Sequence, residues 1–461
     1  MSRNKPDDAI ELEMLLGNDE DEDSSSLTVT RSNQAPEYNG ETIHLYPLDY
    51  QKVHIVRWQM AANLVLFLVL GLNDECNGAL LPALTQHYNV SKVTVANLFI
   101  VQFLGYCTAS LLTQKIHTRV GARGAMLTAA GLCVLFYTIL LSRPPWFPIY
   151  VACFMPLGLA IGIMDSVSNV LFGNLEIHKN EWMGLLHGLY GAAAMVTAPV
   201  VSYFVKYSQW NLFFLLPLTV SLVGLIMVPY AFKDETANKY NYLCEISREQ
   251  GDEVHPSFWT LVRRPAIYMY AIYMFIYLGS EVSTGAWIFT YLLEVKKGEV
   301  IPMSYVTAAF WMGLTTGRLV LGFVTKRWFT NEYRASAFYT KLSFVSYTGF
   351  LAVTYFSGSS ALYFVAVSVM IFLGGVFIGP LFPNASVVAL QVLPKNMHVS
   401  GVGIAVALGG CGSAILPYSV GLITNMIGFV WFPFLCWIMV AVVAVVWYLY
   451  PKVIKGHEEY L

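Results

Sequence analysis

The chain has 461 residues, of which 56% are hydrophobic and 12% charged, and its formal net charge is −2. Globular domains carry about 25% charged residues, so the composition excludes an ordinary soluble domain, and the near-neutral balance excludes a nucleic-acid footprint. The apolar excess falls in repeated blocks of roughly 20 residues, enough to cross a bilayer as helix.

Residues 1–50 read as a disordered, acidic cytosolic tail. Asp19 to Asp23 is an unbroken acidic run followed by Ser24, Ser25 and Ser26, with too little apolar surface to fold. Glu11, Leu15 and Leu16 have the arrangement of an acidic dileucine sorting signal. Such a signal engages a sorting adaptor and directs a protein to a vacuolar or lysosomal membrane instead of the plasma membrane; a match this short also arises by chance. The N-terminus is acidic where a cleavable signal peptide is basic and then apolar, so the first span is expected to direct insertion.

Twelve spans follow, at about 56–86, 92–115, 123–142, 147–175, 181–207, 211–232, 265–293, 302–326, 334–356, 360–390, 397–427 and 429–451. The fold class is thus all-α integral membrane. A polar linker, 233–264, divides a six-helix half at 51–232 from a second at 265–452, and 453–461 is a short tail. Ser257 to Val262 in the linker read as a short interfacial helix beside Arg263 and Arg264. One set of loops is rich in basic residues, among them Lys115, Arg119, Arg123, Lys326 and Arg327, while the other holds Lys92, Arg143, Lys206, Lys296 and Lys297. The basic set is expected in the cytosol, with both termini. Asn89-Val90-Ser91 is a glycosylation sequon in the first non-cytosolic loop.

The halves read as weak repeats. Spans two and eight each carry a mid-helix glycine and a basic end, Gly105 to Lys115 and Gly317 to Arg327; spans five and eleven are rich in small residues before a proline, Pro199 and Pro417. Two such halves place a site at the midplane between them. The seven cysteines show no metal-ligand spacing, so neither a metal, a cofactor nor a disulfide framework is expected. No nucleophile–base pair or phosphate loop marks an enzyme.

Asp74, Glu75, Asp165 and Glu281 lie inside spans. Acids at membrane depth are costly and mark ion or substrate paths. Asp165 and Asn169 are four apart, hence on one helix face; a carboxylate in a partly dry cavity can load and release a proton. Asn73 and Asn77 also share a face and suit a substrate, or glue the bundle; Asp74 suits a proton. Glu75 is placed near the non-cytosolic mouth. Tyr273, Tyr277, Glu281, Thr284 and Trp287 form a stripe along span seven. Aromatic faces cover sugar C–H surfaces and carboxylates bind the edges, although aromatic residues this frequent also simply pack. Trp311, Thr315 and Arg318 share a face of span eight, where Arg318 gates the cytosolic side, binds an anion or snorkels. Gln102, Tyr106, His187 and Tyr190 complete the polar set.

The run from Phe310 to Arg318, continuing to Gly322 and Lys326-Arg327, resembles the span-eight pattern of the major facilitator superfamily; the matching loop after span two lacks the usual aspartate. Within the superfamily, Gly71-Leu72-Asn73-Asp74 and Asp165-Ser166-Val167-Ser168-Asn169 resemble the fucose–galactose–glucose:proton symporter branch and its fungal relatives. His187, in Leu186-His187-Gly188-Leu189-Tyr190-Gly191, stands where that branch carries Gln. The resemblance implies a twelve-helix monomer with alternating access, gating by Arg318, proton coupling through Asp74, Asp165 and Glu281, and a monosaccharide held by Asn73, Asn77, Gln102, Asn169, His187, Trp287 and Trp311. A sodium-coupled carrier, a proton antiporter for amphipathic or cationic compounds, and a nutrient sensor on a transporter fold stay open.

Overall fold

The computed structural model describes residues 36–249, 263–356, 358, 360–392 and 398–453. The dileucine motif and the 257–262 segment lie outside the described residues. An N-terminal strap carries a short antiparallel hairpin, β1 (Glu37–Tyr38) with β2 (Glu41–Thr42). Among the described residues, the regular structure after it is all helical. The first half holds α1 (His54–Tyr88), α2 (Lys92–Leu141), α3 (Phe147–Gly173), α4 (Lys179–Tyr207) and α5 (Leu215–Ala231), the last entered through a 3-10 turn at Trp210–Phe214. The linker contributes α6 (Ala237–Glu249). The second half holds α7 (Pro265–Glu294), α8 (Val300–Trp328), α9 (Glu332–Tyr355), α10 (Ala361–Ile378), α11 (Leu381–Val392), α12 (His398–Ile427) and α13 (Phe432–Val453).

The helices match the expected spans to within a few residues, with two differences. Spans two and three run together in α2, which stays helical past the expected break and turns back at Gly121 (φ 65, ψ −178). A side chain is barred there by the left-handed backbone and by the Thr236 carbonyl carbon, 2.4 Å from where a Cβ would sit. Span ten is split into α10 and α11 at Gly379-Pro380, where the proline removes a helix donor. Among the described residues, nine helices are long and apolar enough to cross a membrane. The twelve spans are reached because α2 carries two of them, and because α7 and α9, more polar, fall below that hydropathy.

The pseudo-symmetry shows in backbone contacts. A Cβ at Gly105 of α2 would lie 2.0 Å from the Met155 carbonyl oxygen of α3, and one at Gly317 of α8 would lie 2.0 Å from the Val376 oxygen of α10. The same relation joins α1 to α4, where Gly71 meets the Tyr190 oxygen, and α7 to α12, where Gly412 meets the Phe275 oxygen. Small residues let these helices touch backbone to backbone, which is how helices associate in lipid. The mid-helix glycines that suggested a repeat are therefore its contact points.

The two ends of the molecule differ. One, here the linker face, carries the strap, α6 and the α3–α4 turn. Arg123 N donates to Glu235 O at 3.0 Å, Tyr38 Oη to Glu245 at 2.6 Å and Glu176 N to Leu48 O at 3.2 Å. The other, the far face, carries the α1–α2 and α7–α8 turns.

Candidate functional site

Three polar clusters meet between the halves. In the first, α2 and α3 approach through Gly105 and Gly158, which sets Tyr106 against Asp165. Tyr106 Oη donates to Asp165 Oδ2 at 2.6 Å, and Asn169 Nδ2, one turn on, donates to Oδ1 at 2.8 Å. Asp165 and Asn169 are half-buried. In the second, Asp74 of α1 accepts from Gln102 Nε2 at 2.7 Å and from Tyr190 Oη at 3.0 Å, and Gln102 in turn accepts from Asn77 Nδ2 at 2.8 Å. In the third, Arg318 of α8 donates to both oxygens of Glu281 on α7, at 2.9 and 3.0 Å, and Tyr277 Oη donates to Glu281 at 2.6 Å. Among the described residues no cation pairs with Asp74, Glu75 or Asp165, and no group of acids, histidines and cysteines has the shape of a metal site.

Aromatic rings join the clusters. The Tyr190 ring meets Trp311 edge-on at 6.2 Å, and His187 meets Phe67 edge-on at 5.5 Å. Tyr190 thus touches Asp74 in its own half and Trp311 in the other.

Several predicted residues sit elsewhere. Asn73 is fully buried and accepts from Tyr137 Oη at 2.9 Å, inside the first half and apart from Asn77. Trp287 is fully buried; its Nε1 donates to Pro417 O at 2.8 Å and its ring packs on Phe429. The span-seven stripe is turned inward, with Tyr273 against Trp447 at 4.8 Å and Thr284 bonded to Ser280 O and Tyr347. Most of that stripe is thus packed among side chains of the second half. Arg318 and Glu281 belong to one half, so this pair ties α7 to α8 and does not bridge the halves. Glu75 is not at a mouth: it is 1% exposed and accepts from Trp311 Nε1 at 2.6 Å across the interface. Asn89 is exposed on the far face as the left-handed cap of α1.

The far face is closed. Lys92 at the start of α2 pairs with Glu294 at the end of α7 and lies 4.7 Å over the Phe429 ring. Deeper in, a Cβ at Gly78 would meet the Ala286 backbone at 2.5 Å. Partway toward the linker face the halves still touch: Phe103 of α2 lies 3.6 Å from the Cβ position of Gly410, and Leu319 of α8 lies 3.2 Å from that of Gly188 on α4. Sequence reading missed the Lys92–Glu294 and Glu75–Trp311 bridges because their partners are 202 and 236 positions apart. The available signal for the first was a basic and an acidic residue at span ends on the same side, Lys92 and Glu294.

The sequence profile described as Major Facilitator Superfamily matches residues 64–364. The protein named "Bypass of stop codon protein 6" of Saccharomyces cerevisiae is 51% identical, over 98% of this chain and 95% of its own length. A glucose/mannose transporter of Bacillus subtilis is 21% identical over 77% of this chain and 85% of its own. Among solved structures, a D-xylose-proton symporter superposes with a TM-score of 0.69 at 12% identity, over 87% of this chain and 99% of that one. A peptide-bound transporter of the POT family gives 0.66 at 16% identity, over 87% and 97%.

Proposed function

The chain belongs to the major facilitator superfamily and is a multi-pass membrane transporter, and from that premise we propose that it carries a monosaccharide by proton symport with alternating access. The observation that carries the proposal is Asp165: half-buried, held by two donors, and without a cation among the described residues. A bare carboxylate resists closure of a dry cavity over it; a proton removes that resistance. Solute and proton then cross together, because the carrier passes through its occluded state, shut on both sides, only when the cavity is loaded and neutral. Asn77, Gln102, Asn169 and His187 supply polar contacts for hydroxyls, and the Tyr190–Trp311 pair supplies an apolar face. A glucose/mannose transporter and a D-xylose-proton symporter among the similar proteins support the sugar.

The test uses proteoliposomes enclosing a pH-sensitive dye, with hexoses added one at a time. Symport acidifies the lumen when the right sugar arrives, and Asp165→Asn abolishes the signal. Full coupled uptake by Asp165→Asn would sink the reading. A second reading, antiport of a cationic compound, is favoured by the surplus of interior acids over Arg318. It predicts the opposite sign: an added cation alkalinises the lumen as protons leave.

The linker face, where Arg119, Arg123, Arg327 and Arg334 gather, is the cytosolic one in this reading. Replacing Leu15 and Leu16 with alanine should then move the protein from a vacuolar membrane to the cell surface. Unchanged vacuolar residence removes the adaptor role of Glu11, Leu15 and Leu16. Glycosidase treatment checks Asn89: a mobility shift lost in Asn89→Gln places the far face outside the cytosol.

A further inference from the structure

Glu75 is left unused by that reading. Its neighbour Asp74 turns to Gln102 and Tyr190, while Glu75 enters the seam where α1, α7 and α8 meet. The seam is dry and tight. Gly78 abuts the Ala286 backbone, and a Cβ at Gly285 would lie 2.6 Å from the Trp311 ring. Glu75 Oε2 accepts from Trp311 Nε1, and Oε1 is buried with no hydrogen-bond partner among the described residues.

The charged and titratable groups around it do not rescue an anion. On its own helix Asp74 is adjacent and repels. On α7 Glu281 and on α8 Arg318 are engaged with each other. On α4 stand His187 and Tyr190, the latter bonded to Asp74. An ionised carboxylate with one bare oxygen is costly in such a place, and a neutral acid much less so.

We propose that Glu75 is a proton-bearing positioning residue, and that the far face closes only over its neutral form. Closing takes one proton from far-face solvent onto a Glu75 oxygen. When the halves part on that side, Trp311 withdraws with α8, Glu75 meets water and the proton leaves. This rests on the alternating-access part of the reading above and adds a proton site distinct from Asp165. It also has a sign. Acid favours closure through Glu75.

The experiment places spin labels at Gln86 and Lys297, exposed far-face positions on opposite halves, and measures their separation in lipid nanodiscs between about pH 5 and 8. The closed-to-open ratio should fall about tenfold per pH unit above the midpoint, the slope for one linked proton. Glu75→Gln, which mimics the neutral acid, should stay closed with no slope. A wild-type slope in Glu75→Gln, a wild type that opens in acid, or a wild type indifferent to pH overturns the proposal. A merely structural Glu75 would shift the populations and leave the slope. If Glu75→Gln does not fold, Trp311→Phe decides: loss of the seam hydrogen bond should move the midpoint to lower pH, and an unchanged midpoint overturns the idea. Asp165→Asn separates the two claims, since it should lose sugar-driven acidification and keep the distance titration.

Discussion

Arg318 donates from one guanidinium nitrogen, Nη2, to both oxygens of Glu281 at 2.9 and 3.0 Å, and both residues belong to the second half. Their side chains are 13% and 4% exposed, so each charge depends on the other. Removing one partner of a buried pair strands the other charge, at a cost of about 3–5 kcal/mol. Arg318→Gln or Glu281→Gln alone should therefore lower the unfolding temperature and the yield in detergent. The double variant should recover part of both. Equal losses in the single and double variants would show that the pair contributes by shape and not by charge.

Gln102 links Asn77 to Asp74, receiving from one and donating to the other. Gln102→Leu strips Asp74 of a charge-assisted bond worth about 1.5–3 kcal/mol and removes two polar groups from the proposed sugar site. The expected outcome is a rise in KM of about tenfold or more in proteoliposome uptake, with the protein still folded. An unchanged KM would place the sugar elsewhere.

The glycine contacts give a matched pair of variants. A methyl at Gly105 would strike the Met155 carbonyl, which is backbone and cannot swing aside; overpacking of this kind costs about 1–3 kcal/mol or more. Gly131, also on α2, has nothing within 4 Å of its Cβ position, and alanine there should stabilise the helix by about 0.5–1 kcal/mol. Thermal unfolding of Gly105→Ala and Gly131→Ala should shift in opposite directions.

That contrast also shows what was legible beforehand. The spans could be read because lipid demands long apolar runs, and Gly105 and Gly317 announced the repeat because close helix contact demands small residues. Asp165 with Asn169 was readable because one helix turn fixes their relation. Asn73 and Asn77 satisfy the same spacing and yet part company, since Tyr137 of the α2 return segment claims one and Gln102 the other. Spacing fixes a face, but the neighbour on that face is set by packing across the bundle. The burial of Trp287 and Tyr273 was not readable for a related reason: an aromatic residue fits a sugar site and a helix interface equally well by composition.

The Lys92–Glu294 pair holds the far face from opposite halves, with Lys92 also over Phe429. Glu294→Gln should raise labelling of a cysteine placed at Ala96, which is fully buried against Gly421 of the other half, read with a membrane-impermeant maleimide. The charge-swapped double variant Lys92→Glu, Glu294→Lys should return labelling toward the starting level. If the swap labels as strongly as the single variant, the contact is incidental to closure.

The strap ties the linker face together around Glu235. Tyr46 Oη donates to it at 2.9 Å and Lys239 Nζ at 2.9 Å, Gln59 reaches both Tyr46 and Glu235, and Lys239 lies 4.3 Å over the Tyr46 ring. Burial and the Glu235 carboxylate push the Tyr46 hydroxyl far above its ordinary range, so it stays a neutral donor. A phenol held up in this way stabilises the docked strap fully below its free value near 10 and loses that contribution only above it. Asp49 has the opposite sign. Burial raises its carboxyl, but the Gln51 amide and Lys52 more than offset this and leave it below the usual range. Its contribution is complete above the free value near 4 and fades as pH falls through the lower folded one. The strap should thus stay docked at every pH between those limits. Hydrogen exchange across residues 37–50 should be slow and flat from about pH 5 to 9 once corrected for intrinsic rates. Tyr46→Ala should release the segment, with exchange faster by tenfold or more for a loss of about 1.4 kcal/mol; Tyr46→Phe, which keeps the ring under Lys239, should release it only in part.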